Sequence, residues 1–97
     1  MSVDDLLSRA VVVFVTREPY GYPHLDPEGL EREFGDAAGE LRPRLEALAA
    51  EMMALPFVDS DLWVGTRAAE AIMGSRHPEL GPDAIAALGF YYSYNWR

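Results

Sequence analysis

The chain has 97 residues and a mass of 10.8 kDa, room for one hydrophobic core and no second. Hydrophobic residues make up 49% and charged residues 25%, the balance of a folded protein rather than a disordered one. There is no cysteine, which removes disulfides, thiolate zinc sites and cysteine nucleophiles, and the net charge of −8 disfavours a nucleic-acid backbone or an anionic membrane as partner.

Residues 3–17 read as a first helix. Ser2 and Asp5 have the spacing of a capping box, and Val3, Leu6, Leu7, Ala10, Val13 and Phe14 share one helical face. The run VVVFVT would also suit a buried strand, but no second segment of similar strength offers itself as a pairing partner. Residues 18–26 carry two prolines, a glycine and two tyrosines and read as a loop. Asp26-Pro27 then has the form of an N-cap followed by proline at the first helical position. A short helix follows through Phe34, with Leu30 and Phe34 inward, and Gly35 ends it.

Asp36 is the expected cap of the next element. Leu41, Leu45, Leu48, Met52 and Leu55 trace a narrow apolar stripe, with Arg44, Glu46 and Glu51 off it. An interior proline costs a helix about 3 kcal/mol, so Pro43 places the start near residue 42, after a turn over 37–41. Pro56 ends this helix. Asp59, Ser60 and Asp61 offer caps for another, whose inner face carries Leu62, Thr66, Ala69, Ile72 and Met73 with Gly65 beside them. Gly74 and Pro78 mark its end. Gly81-Pro82-Asp83 opens a last helix that runs to the carboxy terminus, where Arg97 complements the dipole. The expected architecture is all-α: a small single-domain bundle of four principal helices plus one short helix.

The last helix has two apolar faces. Ile85, Leu88, Gly89, Tyr92 and Trp96 fall on one, and Ala87, Phe90, Tyr91 and Tyr94 on the other. A helix covered on both sides would explain this, and so would an exposed Phe90, Tyr91 and Tyr94 face that docks on another protein or on a second copy. A second feature is charge. Six carboxylates lie between Asp26 and Glu40, opposed by Arg32 alone. Leu30 and Phe34 pointing inward would leave Glu28, Glu31 and Glu33 outward, a face that is either simply solvated or a docking surface for a basic partner.

Catalytic and cofactor signals are weak. The serines lie in no nucleophile-elbow context, no Gly-rich phosphate loop is present, and no His–carboxylate constellation has metal-ligand spacing. His24, Asp26 and Tyr22 are the residues that would carry chemistry in the loop if any do, and His77 sits where a helix dipole favours it. No cofactor is expected. The amino terminus carries two acids in its first five residues, where a secretory signal needs a basic start, and the longest apolar run is Ala10 to Val15, far short of the roughly 20 residues of a membrane span. A cytoplasmic location is expected. All eight basic residues are arginine, a bias that suggests a GC-rich bacterial genome.

These features point to a small acidic module that binds another protein, with immunity proteins and antitoxins of basic toxin enzymes as the physical archetype. Asp26, Glu28, Glu31, Glu33 and Asp36 would steer the partner, and Phe90, Tyr91 and Tyr94 would anchor it. The alternatives are a homodimer assembled through the aromatic helix and a small-molecule module at loop 18–26.

Overall fold

Asp4 starts the first helix, α1 (Asp5–Phe14), by accepting the N–H of Leu7 on its carboxylate at 3.0 Å. The N-cap is therefore Asp4, and Asp5 is the first residue of the helix. The computed structural model describes residues 4–16, 24–55 and 61–95. Expectations for Ser2, Val3, Tyr22, Pro56, Asp59, Ser60, Trp96 and Arg97, and for most of loop 18–26, fall outside those residues.

The inner face of α1 is Leu7, Ala10, Val11 and Phe14. Leu6 is exposed and Val13 half-buried, which corrects the expected face by about one position. Asp5, Ser8 and Arg9 mark the outer side of α1, but the apolar arc opposite them is wider than the buried face, and Leu6 and Val13 lie toward one edge of it. Its end also differs from the expectation. Helix stops at Phe14, and Val15–Thr16 (β1) pairs antiparallel with His24–Leu25 (β2), in the register Val15 to Leu25 and Thr16 to His24. The β-branched tail of VVVFVT thus does find a partner, in a segment expected to be loop. Asp26 N–H closes this ribbon by donating to the carbonyl of Phe14 at 2.7 Å.

The short helix α2 (Pro27–Phe34) begins as the sequence implies, with Asp26 accepting the N–H of Gly29 at 3.0 Å and Pro27 in the first turn. Leu30 is wholly buried beneath it. Arg9 of α1 lies 5.7 Å above the ring of Phe34, a cation–π contact that joins the two helices. Gly35 ends α2 at φ 56°, in the positive-φ region that favours glycine.

A 3-10 turn over Gly35–Ala37 runs directly into α3 (Ala38–Ala54). Asp36 lies in that turn and does not cap α3, whose N-cap position is Ala37 with no side-chain bond. The helix starts four residues before the expected point and carries Pro43 inside it. Pro43 has no N–H to offer the carbonyl of Gly39, but Gly39 is at the exposed surface, where solvent can take that group. The stripe Leu41, Leu45, Leu48, Met52 and Leu55 is buried throughout. Leu55 leaves the helix in an extended conformation, as a residue before proline prefers.

Asp61 caps α4 (Leu62–Arg76) by accepting the N–H groups of Trp63 and Val64 at 2.9 and 3.2 Å. Gly65, Thr66, Ala69 and Met73 are its buried residues, with Leu62 and Ile72 half-buried. Gly74 does not end it; the helix continues to Arg76, and His77 is the C-cap. A tight connection leads to α5 (Pro82–Asn95), held to the start of α1 by Asp4 N–H on Glu79 O at 2.7 Å and Gly81 N–H on Ser8 Oγ at 2.9 Å.

The fold is all-α, with α1, α3, α4 and α5 as the principal helices and α2 as the short one. The buried side chains form one cluster that draws on all of them, with Leu7, Leu45, Met52, Met73, Leu88 and Tyr92 among its members. Among the described residues no helix is long and apolar enough to cross a membrane. Each large aliphatic side chain in that cluster contributes about 1.5–3 kcal/mol by leaving water. Tyr92 is completely buried and anchors α5 to the end of α3, its hydroxyl donating to Leu55 O at 3.2 Å. Main packing places α5 against α4 and α1, and α2 against α1 and α3.

Candidate functional site: the cleft between α4 and α5

The two faces of α5 part company in the structure. Leu88, Gly89 and Tyr92 are buried, while Phe90 is 47% exposed and Tyr94 40%. Tyr91 lies between, half-buried against the core. Across from Phe90 stands Trp63 of α4, 66% exposed, with Val64 beside it also exposed. Trp63 is not among the residues that the sequence pattern marks as functional. It sits in the first turn of α4, outside the expected inner face, and an exposed tryptophan there was the available signal.

Trp63 and Phe90 form the rims of a narrow cleft of about 80 Å³. Thr66 and Glu70 of α4 and Ala86, Gly89 and Ser93 of α5 complete it. The spacing explains the alignment: 63, 66 and 70 share one stripe of α4, and 86, 89, 90 and 93 share one stripe of α5. Ala86, Gly89 and Ser93 are small, so the two backbones approach closely. The Glu70 side chain lies over the bare Cα of Gly89. A Cβ built there would collide with the Glu70 carboxylate oxygen and would stand 2.7 Å from Cδ.

The polar groups of the cleft are incompletely used. Thr66 is 3% exposed, and among the described residues its Oγ1 is the one buried side-chain polar atom with no hydrogen-bond partner. Leaving such a hydroxyl unpaired costs about 1–3 kcal/mol. The Ser93 hydroxyl donates to Phe90 O at 3.0 Å, which leaves its oxygen able to accept. Glu70 is half-buried, and no salt bridge reaches it among the described residues. Burial raises its carboxyl above the ordinary glutamate range, and the charge of Arg67 one turn earlier only partly opposes this.

Phe90 and Ala86 also line a second depression, of about 300 Å³, with Val12, Val15, Thr16, Asp83 and Ala87. Val12 is exposed. An apolar band therefore runs from Val12 of α1 across Phe90 to Trp63 of α4. A broader, open depression of about 790 Å³ lies between α1 and the start of α5, lined by Asp5, Ser8, Arg9, Val12, Val13, Gly81, Pro82 and Asp83. Its rim carries both signs of charge, and its hydroxyl, Ser8, already accepts from Gly81.

The acidic residues lie elsewhere. Glu28, Glu31, Glu33 and Asp36 are exposed on α2 and the turn after it. Asp26 is engaged as the cap of α2, with Arg32 3.8 Å from its carboxylate. The structure does not pack α2 mainly on the helices that carry Trp63 and Phe90, so the expected steering and anchoring residues stand on separate parts of the surface.

His24 is part of β2, two residues before the occupied cap carboxylate. His77 instead joins three elements. Its Nε2 is 2.8 Å from Glu51 of α3 and its Nδ1 3.4 Å from Glu79, and Arg76 reaches the other Glu51 oxygen at 3.2 Å. The hydrogen bond with His77, helped by Arg76, holds the Glu51 carboxyl below the ordinary range despite an opposing desolvation effect. This cluster ties the end of α4 to α3. Among the described residues no three His, Asp or Glu side chains are arranged to hold a metal ion.

No protein-family model, no curated protein and no solved structure matches the chain.

Proposed function

We propose that the protein is a small acidic interaction module that binds a basic protein through the α4–α5 face. One observation carries this reading: the continuous exposed apolar band formed by Val12, Phe90 and Trp63, with Val64 and Tyr94 beside it. Tryptophan and tyrosine are the residues on which interface energy concentrates, and exposing them to water has a cost that folding does not require. Charge selects the occupant. At −8, a second copy of the chain is repelled, while a basic surface is attracted and brought in faster. The exposed acids of α2 act at a distance in this scheme, through the overall field rather than by contact. An immunity protein or antitoxin that neutralises a basic enzyme is the clearest example of such physics.

The test is affinity capture at low salt from an extract of the host cell, with wild-type protein and a Phe90→Ala, Tyr94→Ala double variant side by side. The reading requires a basic partner that the wild type retains and the variant loses, and whose association slows when Glu31 and Glu33 are reversed to lysine. Equal retention by both proteins, or a partner indifferent to salt and to charge reversal, contradicts it. A sedimenting dimer that Phe90→Ala dissolves would assign the face to a second copy instead.

A further inference from the structure

The cleft between Trp63 and Phe90 is a different kind of surface from the band around it. An interface that merely hides apolar area needs no carboxylate in its seam and no orphaned hydroxyl at its base. Here Glu70 lies in the seam without an ion-pair partner among the described residues, and Thr66 Oγ1 is buried and unbonded. The Ser93 oxygen has its proton committed to Phe90 O and can only accept.

Together these groups define the ligand by what they lack. Glu70 and Ser93 both call for a hydrogen-bond donor, and Thr66 can accept one as well. Glu70 also calls for positive charge. Two aromatic rims, Trp63 and Phe90, flank the opening, and ring faces attract cations. A single water needs about 10–15 Å³ of such space, so 80 Å³ admits a group of several heavy atoms and excludes a drug-sized ligand.

We infer that the α4–α5 cleft is a receptor for one arginine side chain of the basic partner, with the guanidinium bonded to Glu70 and Thr66 and stacked between Trp63 and Phe90. Arginine fits better than lysine for three reasons. Its head is planar and suits a slot between two rings. It carries five N–H donors and no acceptor. It is also more weakly hydrated than an ammonium and loses less on entering a half-buried site. An acidic or neutral acceptor group is rejected by Glu70. Gly89 belongs to the site because only a residue without Cβ leaves room for the Glu70 side chain over the α5 backbone.

This inference rests on the proposed function for the identity of the partner, but it is tested without that partner. The probes are Nα-acetyl-arginine amide, its neutral isostere Nα-acetyl-citrulline amide, and the corresponding lysine amide, each titrated into the full chain while backbone amide resonances are followed by NMR. The expected result is saturable perturbation of the Thr66, Glu70, Gly89 and Phe90 amides by the arginine probe, at least tenfold weaker for citrulline and several-fold weaker for lysine. Glu70→Gln should weaken arginine binding at least tenfold, and Thr66→Val several-fold, with the amide spectrum otherwise retained.

Perturbation centred on the exposed acids of α2, equal response to citrulline, or undiminished binding by Glu70→Gln overturns the assignment. Unfolding of either variant would show as spectral collapse, and Gly89→Ala then supplies the second test, since it expels Glu70 from the cleft without removing its charge. The two readings fail separately. Arginine binding without any loss of partner on Phe90→Ala, Tyr94→Ala leaves the cleft's affinity for arginine standing and removes the proposed face, and with it the partner as the source of that arginine. Partner loss on that variant without arginine binding does the reverse.

Discussion

Glu70 of α4 lays its side chain over Gly89 of α5, in space that any other residue at 89 would fill with its own Cβ. The groups that collide with a Cβ there all belong to one flexible side chain, and no backbone stands in the way. Gly89→Ala should therefore turn Glu70 out of the cleft at little cost. The substitution also gains helix propensity, about 1 kcal/mol in a helix interior. Urea unfolding should show Gly89→Ala as stable as wild type or up to about 1 kcal/mol more stable. A loss of more than about 2 kcal/mol would mean that Glu70 cannot leave and that the cleft is part of the packed core.

Glu70 itself should oppose folding at neutral pH. Its carboxyl is raised chiefly by desolvation, so the folded state binds a proton more tightly than the unfolded state does. Stability therefore falls as pH rises from the ordinary glutamate value near 4.5 through the raised folded value. Glu70→Gln carries no such penalty. The variant should melt above wild type at pH 7, and its advantage should shrink with falling pH and vanish below about 4.5. A variant less stable than wild type at pH 7 would show that the carboxylate has a stabilising partner in the free protein. A residue that lowers stability while improving a site is the usual signature of function over folding.

Glu51 should behave with the opposite sign. The hydrogen bond from His77 comes first and the nearby Arg76 adds to it, so the folded carboxyl ionises more readily than the unfolded one. Its contribution is fully present above the ordinary value near 4.5 and is lost as pH falls through the lower folded value. Glu51→Gln should cost about 0.2–1 kcal/mol at pH 7, as exposed pairs do. The gap between variant and wild type should close below pH 4.5. A gap that widens in acid would refute this origin. Comparing the Glu51→Gln and Glu70→Gln melting curves on one pH axis displays both signs together.

Tyr92 links α5 to the end of α3 through its hydroxyl on Leu55 O, in a fully buried setting. Tyr92→Phe keeps the packing and removes the bond. It should cost about 0.5–1.5 kcal/mol by chemical denaturation, with the transition otherwise unchanged. No loss at all would mean that the hydroxyl has no net effect on stability.

The parts of the fold that could be read from the residues are those where chemistry is local. The stripe from Leu41 to Leu55 has one phase, and Asp26-Pro27 has one structural meaning, so the buried face of α3 and the start of α2 are legible in their own side chains, whereas the start of α3 is not. Helix α1 is harder because Leu6, Leu7, Ala10, Val11, Val13 and Phe14 span an arc wider than the face the core can cover, so the pattern marks the buried side but not its edges. The start of α3 is hidden for an energetic reason: the penalty of Pro43 is real, but Gly39, whose carbonyl it leaves unpaired, is exposed to water. The cleft was least accessible of all. Thr66 and Glu70 look like a core threonine and a solvated acid when α4 is considered alone. Only the placement of Gly89 and Ser93 opposite them, some twenty residues later in the chain, turns them into two unsatisfied groups in one seam. Number and spacing mark Phe90 and Tyr94, whereas Trp63 stands as a lone aromatic in a first turn.

The proposed face is measured by calorimetric titration of the captured basic partner into three proteins: wild type, Trp63→Ala and Leu6→Ala. Leu6 is 49% exposed on α1 and lines none of the depressions described above, so it controls for the general loss of an apolar side chain. Trp63→Ala should raise Kd at least tenfold, about 1.4 kcal/mol or more, and Leu6→Ala should leave it unchanged. Equal affinity for all three proteins, or a loss confined to Leu6→Ala, would contradict the proposed face.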